Sequence, residues 1–143
     1  MDIYLKMSNQ VKEYIEFEYT ALYFYLWRPF LQDVLNKMAT GQLGDIDAMG
    51  SSVRTMAQKA VDSSIKLVAR IRTWSVINWF SFRQSLMATI LVVAASRTIE
   101  NRVLEQDLTD TLKNAAEIFE KTSKTCEGAR WALRLILQIR NSL

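Results

Sequence analysis

The segment SVRTMAQKAVDSSIKLVARIR, residues 52–72, decides the fold of this 143-residue chain. Its apolar side chains recur at every third or fourth position, the spacing that brings side chains to one face of an α-helix. These residues are Val53, Met56, Ala57, Ala60, Val61, Ile65, Val68 and Ile71. Ser51 or Ser52 is a suitable N-cap, because a serine hydroxyl accepts a hydrogen bond from a free N–H of the first turn. We therefore predict an amphipathic helix over about 52–72 whose apolar face is buried.

A second periodic segment precedes this helix, over about 2–27. Its helically spaced apolar residues are Ile3, Met7, Val11, Tyr14, Ile15, Leu22 and Leu26. Pro29 lacks an N–H and disfavours helical geometry at Arg28, so it is expected to kink or end this helix. The residues at 30–38 can then resume as a short helix. Three of the four glycines lie just beyond, and we predict a mobile loop over about 40–51.

Three further helices are predicted towards the end of the chain. One covers about 78–97, and because its apolar residues lie all around its axis, it is expected to be the central, most buried helix. The next covers about 107–125, with Leu108, Leu112, Ala115 and Phe119 on its inner face and Cys126 as a further candidate, and the last begins near 128. The sequence thus predicts one all-α domain over 1–143, built as an irregular bundle of five to six helices around a central hydrophobic helix.

Composition excludes most catalytic and metal chemistry. The chain has no histidine, so it has no Ser-His-Asp triad, no Cys-His pair and no imidazole metal ligand. Its one cysteine, Cys126, cannot form a zinc cluster and suits a reducing, intracellular compartment. We interpret Cys126 as a small apolar residue at a helix junction, with a reactive thiol beside Lys124 as the alternative. We therefore predict no enzymatic activity, no metal and no cofactor.

Charge and hydropathy exclude two further classes of partner. The net charge of +3 is a weak bias rather than a dense basic stripe, which predicts no direct contact with nucleic acid. The most apolar run, at 85–95, is too short to span a bilayer. The basic residues of the 52–72 helix are expected to form a solvated face. Attachment of that helix to a membrane surface is disfavoured, because its apolar stripe is expected to face the core.

Three segments carry a resemblance to a known family: YFYLWRPFL at 23–31, the helix at 52–72, and WSVINWFSFRQSLMATILVVA at 74–94. In this order they resemble the regulatory region of fungal zinc-cluster transcription factors, called the middle homology region or fungal-specific transcription factor domain. In that family an aromatic-rich helix ends in Arg-Pro-Phe, matched here by Arg28, Pro29 and Phe30. The resemblance covers most of the chain but only the C-terminal half of the family region. The six-cysteine zinc cluster is absent, so no DNA contact carries over.

The resemblance implies a nuclear protein that regulates transcription. In that family the region restrains or exposes an activation function, often in response to a small molecule, and contributes to self-association. For this chain it implies a small apolar effector. It also implies association with a second copy of the chain or with the transcription machinery.

An effector of this kind is expected to bind between the aromatic end of the first helix and the helix that begins near Trp79. The expected lining residues are Tyr23, Trp27, Phe30, Trp79 and Phe80. These aromatic residues can instead belong to the core, and Arg28 can have a structural role, capping carbonyls that Pro29 leaves free. The alternative function is a helical dimerisation or scaffold module without a ligand. It is favoured by the exposed-looking apolar residues at 131–139.

Overall fold

A computed structural model describes residues 2–42, 50–99 and 103–143 of the chain. Within these ranges all regular secondary structure is α-helical. The helices are α1 (Asp2–Ala39), α2 (Ser51–Arg72), α3 (Trp79–Thr98), α4 (Glu105–Ser123) and α5 (Glu127–Asn141). The predicted all-α bundle is therefore confirmed. Of the loop predicted at about 40–51, residues 43–49 lie outside the described residues, and 40–42 form a turn in which Gly41 has a φ of 71°.

Helix α2 lies in the interior of the bundle and contacts α1, α3 and α4. The buried members of its predicted apolar face are Ala57, Ala60, Val61, Val68 and Ile71. Leu67 is also fully buried. Ser63 and Ser64 extend this face, and each hydroxyl donates to the backbone carbonyl four residues earlier. Because these hydroxyls are satisfied within the helix, they can be buried without a partner from another element.

The start of α2 differs from the prediction. Its N-cap is Gly50, and Ser51 and Ser52 are the first two residues of the helix. The Gly50 carbonyl accepts hydrogen bonds from the N–H groups of Val53 and Arg54, at 3.1 and 3.3 Å. The first turn therefore closes on backbone groups, and the predicted serine N-cap is wrong.

Helix α1 is continuous over 38 residues and includes Pro29, so of the two expected outcomes, a kink or an end of the helix, the end does not occur. An internal proline removes one backbone hydrogen bond and costs about 3 kcal/mol or more. Packing on both sides of Pro29 offsets this cost. Phe24 and Leu31 are fully buried and Val34 is nearly so, and burial of each such side chain contributes roughly 1.5–3 kcal/mol. The segment at 30–38 is therefore the last part of α1 and not a separate helix.

Helix α3 contacts α1, α2 and α4, as expected of the central hydrophobic helix predicted at about 78–97. It begins after Asn78, whose side-chain oxygen accepts a hydrogen bond from the Ser81 N–H at 2.8 Å. Its predicted central position implies burial on all sides, but Trp79 and Phe80 at its start are exposed. Its buried face also includes four polar residues: Ser81, Gln84, Ser85 and Thr89.

The last two helices close the bundle, with α4 against α2 and α3 and with α5 against α4. The residues predicted for the inner face of α4 are all buried: Leu108, Leu112, Ala115 and Phe119. The Phe119 ring meets Phe82 of α3 edge-on, with 5.4 Å between ring centroids. Cys126 is the half-buried N-cap residue of α5, which agrees with its interpretation as a helix-junction residue. Trp131 of α5 is exposed.

The burial of one face of α2 leads to a testable prediction about stability. Leu67→Ala is expected to lower the free energy of unfolding by about 2–5 kcal/mol, because it leaves a cavity among α1, α2, α3 and α4. Leu104→Ala is the matched control, since Leu104 is exposed and its truncation is expected to cost about 0.5 kcal/mol or less. Urea denaturation followed by circular dichroism measures both values. Equal losses in the two variants would contradict the packing described for α2.

Candidate binding site

A cleft of about 220 Å³ lies between α1 and α3. Its lining residues are Phe24, Tyr25 and Arg28 from α1, and Phe80, Arg83, Gln84 and Met87 from α3. We call it the α1–α3 cleft. It combines an apolar floor with two guanidinium groups, a phenol and a carboxamide. A few convergent polar groups in an apolar concave surface are typical of small-molecule sites.

Arg28 is the half-buried cation of this cleft. Its Nη1 donates to Met87 Sδ at 2.6 Å, and its guanidinium carbon lies 5.8 and 5.6 Å from the ring centroids of Phe24 and Tyr25. Its Nε is buried, and no described residue offers it a hydrogen-bond acceptor. Arg28 was expected to cap main-chain carbonyls. In the structure its hydrogen bond goes instead to Met87 Sδ.

Gln84 is the buried amide of the same cleft, with 4% of its surface exposed. Its Nε2 donates to Tyr25 Oη at 2.8 Å, which joins α3 to α1. Its Oε1 is buried without a hydrogen-bond partner among the described residues. An unpaired amide oxygen in such a position is costly, so Gln84 is not explained by packing alone.

A second, wider cleft of about 390 Å³ lies between α1 and α2. Its lining residues are Tyr19, Thr20, Tyr23, Lys59, Asp62, Ser63 and Lys66. The hydroxyls of Tyr19 and Tyr23 are 3.3 Å apart, and this hydrogen bond raises the pKa of Tyr19 above the usual tyrosine value. The Lys59 ammonium lies 4.9 Å from the centroid of the Trp27 ring. This cleft is an open groove with solvated polar walls.

The structure does not bring the five predicted pocket residues into one cavity. Phe80 lines the α1–α3 cleft, whereas Tyr23 lines the α1–α2 cleft and Trp27 packs beside Lys59 of α2. Phe30 lies 6.0 Å from Trp27, between ring centroids, and is exposed. Trp79 is 62% exposed. The reason is helical spacing: residues 23, 27 and 30 share one side of α1, and the cleft with α3 is formed by the neighbouring side.

The basic residues of α2 are in part neutralised by the neighbouring helices. Arg70 forms an ion pair with Glu16 of α1 at 2.8 Å, and Arg72 forms one with Glu117 of α4 at 3.3 Å. Each pair is partly exposed, so its contribution to stability is about 1 kcal/mol or less. Two of the basic residues of α2 are therefore paired with carboxylates of neighbouring helices.

In the first turns of α1, up to residue 15, the described side chains are exposed on all sides, and beyond them several apolar residues point away from the buried side of the helix. A row of apolar residues at helical spacing, each between 42% and 64% exposed, consists of Met7, Val11, Ile15, Leu22, Leu26 and Phe30. We call them the outer face of α1. The residues that α1 buries against the bundle, among them Phe17, Ala21 and Phe24, lie on the opposite side of the helix. Exposed apolar side chains at helical spacing make the outer face of α1 a candidate surface for association, although Glu18 lies in the same row.

Metal and membrane sites are not found in the part of the chain that the structure describes. No three of its His, Cys, Asp and Glu side chains are grouped so that they could hold a metal ion. None of its helices combines the length and the hydropathy needed to cross a bilayer. No protein-family model matches the chain, and neither a curated protein nor a solved structure is significantly similar to it.

The placement of the tryptophans can be checked in solution. Acrylamide is expected to quench the fluorescence of Trp79 and Trp131, which are exposed, more strongly than that of Trp27 and Trp74, which are half-buried. Replacing Trp79 and Trp131 together with Phe is therefore expected to lower the Stern–Volmer constant. Replacing Trp27 and Trp74 together is expected to raise it. If Trp27 and Trp74 were instead quenched more strongly than Trp79 and Trp131, Trp79 would have to be buried in a cavity.

Proposed function

We propose that this chain is a non-catalytic regulatory domain of the fungal zinc-cluster transcription factor type, which acts by binding and associates with a second copy of itself through the outer face of α1. The resemblance of the segments at 23–31, 52–72 and 74–94 supports the transcriptional part of this proposal, and with it a nuclear location. The outer face of α1 is the observation that carries the association. The domain makes no DNA contact of its own.

The shape of the outer face suits pairing with another helix. Its members extend from Met7 to Phe30 along a helix that is about 57 Å long at 1.5 Å per residue. The bundle lies on the opposite side of α1, so two copies can bring their outer faces together without a clash between the bundles. Burial of this stripe removes large apolar side chains from water, which is the main driving force for association.

The charges in and beside the outer face favour a second copy of the chain as its occupant. Lys12 and Glu18 are both exposed. Helical spacing places Glu18 within the stripe, between Ile15 and Leu22, and Lys12 at its edge, so the surface carries both signs of charge. A surface with both signs of charge can complement itself, whereas a surface with one sign repels its own copy.

Self-association is tested by measuring mass against concentration. Sedimentation equilibrium is expected to show a species of twice the 16.5 kDa chain mass, which dissociates on dilution. The double substitution of Leu22→Glu with Leu26→Glu is expected to weaken the dimer by about tenfold or more, because it places charges in a desolvated contact. Val76→Glu is the matched control, since Val76 is exposed but lies in the α2–α3 connection. A wild-type chain that stays monomeric at high concentration would contradict the proposal.

A role in transcription is tested with a reporter gene. The full chain, fused to an unrelated DNA-binding domain, is expected to change reporter expression several-fold, and the double Leu22→Glu, Leu26→Glu substitution is expected to abolish that change. The alternative of a dimerisation or scaffold module without a ligand predicts the same dimer but no change in the reporter. An unchanged reporter with a confirmed dimer would therefore favour the alternative.

A further inference from the structure

Arg28 contributes a positive charge to the α1–α3 cleft that no described carboxylate balances. Its recorded contacts are the Met87 sulfur and the rings of Phe24 and Tyr25. The ion pairs of the described residues join other side chains. A partly buried guanidinium that has no carboxylate partner forms strong, charge-assisted hydrogen bonds with a carboxylate ligand. The missing partner therefore points to an anion.

Gln84 adds a second polar group that lacks a hydrogen-bond partner in the same cleft. Tyr25 Oη pairs with only one end of its buried amide, so either orientation of that amide leaves the other end without a partner. In the orientation recorded, Tyr25 accepts from Gln84, and the Tyr25 hydroxyl proton remains available to an anion. Gln84 Oε1 then requires a donor from the ligand. An O–H or N–H group next to the ligand's carboxylate supplies it.

The remaining walls set the size and the body of the ligand. Phe24, Phe80 and Met87 provide apolar surface, and the exposed Arg83 adds positive charge at the rim. The volume of about 220 Å³ corresponds to about seven waters at ~30 Å³ each. This is enough for an acid with one ring and too little for a nucleotide, which occupies a larger pocket.

We infer that the α1–α3 cleft binds a small carboxylic acid that carries a hydroxyl or amino group next to its carboxylate and an apolar body. In this assignment Arg28 and the Tyr25 hydroxyl bind the carboxylate, and Gln84 Oε1 accepts from the neighbouring O–H or N–H. The ligand is then an acid with an apolar body, rather than the small apolar effector that the resemblance implies. It is independent of self-association, because the cleft and the outer face lie on different sides of α1.

Isothermal titration calorimetry with 3-phenyllactate tests the inference, since this probe has a carboxylate, an adjacent hydroxyl and one ring. One molecule is expected to bind per chain. Its neutral analogue 3-phenylpropane-1,2-diol is expected to bind about tenfold more weakly or worse, because it lacks the charge that Arg28 recognises. The analogue 3-phenylpropanoate lacks the hydroxyl, and its affinity is expected to fall by about threefold or more. Equal affinity for the acid and the diol, or no binding of the acid, would overturn the inference.

Substitutions separate a ligand-binding role of Arg28 from a structural one. Arg28→Met keeps an apolar side chain of similar length, so it is expected to abolish 3-phenyllactate binding while the melting temperature of the free protein stays equal or rises. Gln84→Leu is expected to weaken binding, again without loss of stability. Arg97→Met is the control, because Arg97 is an exposed α3 arginine outside the cleft. If Arg28→Met melts at a lower temperature and binds the acid like the wild type, Arg28 is structural and the inference is wrong.

Discussion

The packing of α1 against α2 across Pro29 is the constraint on which the other features depend. Phe24 and Leu31 are buried on either side of the proline, and their burial holds both halves of α1 in one helical register. That register fixes which residues of α1 share a side. Tyr25 and Arg28 consequently meet Gln84 and Met87 of α3, while Leu22 and Leu26 of the outer face are exposed on another side of α1.

Polar residues on the buried face of α3 divide into two kinds. The hydroxyls of Ser85 and Thr89 donate to carbonyls of their own helix, so their burial leaves no donor unpaired. The side chain of Gln84 is too long for that arrangement and reaches across to Tyr25 of α1. A buried serine or threonine hydroxyl can therefore be satisfied within its own helix, whereas a buried carboxamide requires a hydrogen-bond partner from outside its own helix. Gln84 Oε1 shares its lack of a partner with Trp27 Nε1 and Thr111 Oγ1, which are also buried without a hydrogen bond among the described residues.

The sequence alone predicted the features that depend on local periodicity. The apolar face of α2 and the inner face of α4 were predicted because spacing in a helix determines which residues share a side. The continuity of α1 could not be predicted, because the proline rule is local and the packing that overrides it comes from α2. The pocket residues predicted from the sequence lie around different clefts for a related reason. Spacing places Tyr23, Trp27 and Phe30 on one side of α1, but only the tertiary arrangement decides that this side does not face α3. Gln84 lies between Arg83 and Ser85, so the local pattern did not distinguish it from an exposed polar residue.

The length of α1 gives it the mechanical property of a lever. Phe17 is the first buried residue among its described side chains, and the 15 residues before it span roughly 22 Å at 1.5 Å per residue. A tilt of about 8° with its pivot at Phe17 would therefore move the far end by about 3 Å, more than the diameter of a water molecule. Small rotations at the anchored part are thus amplified at the exposed end, where two helices would have to match their side chains.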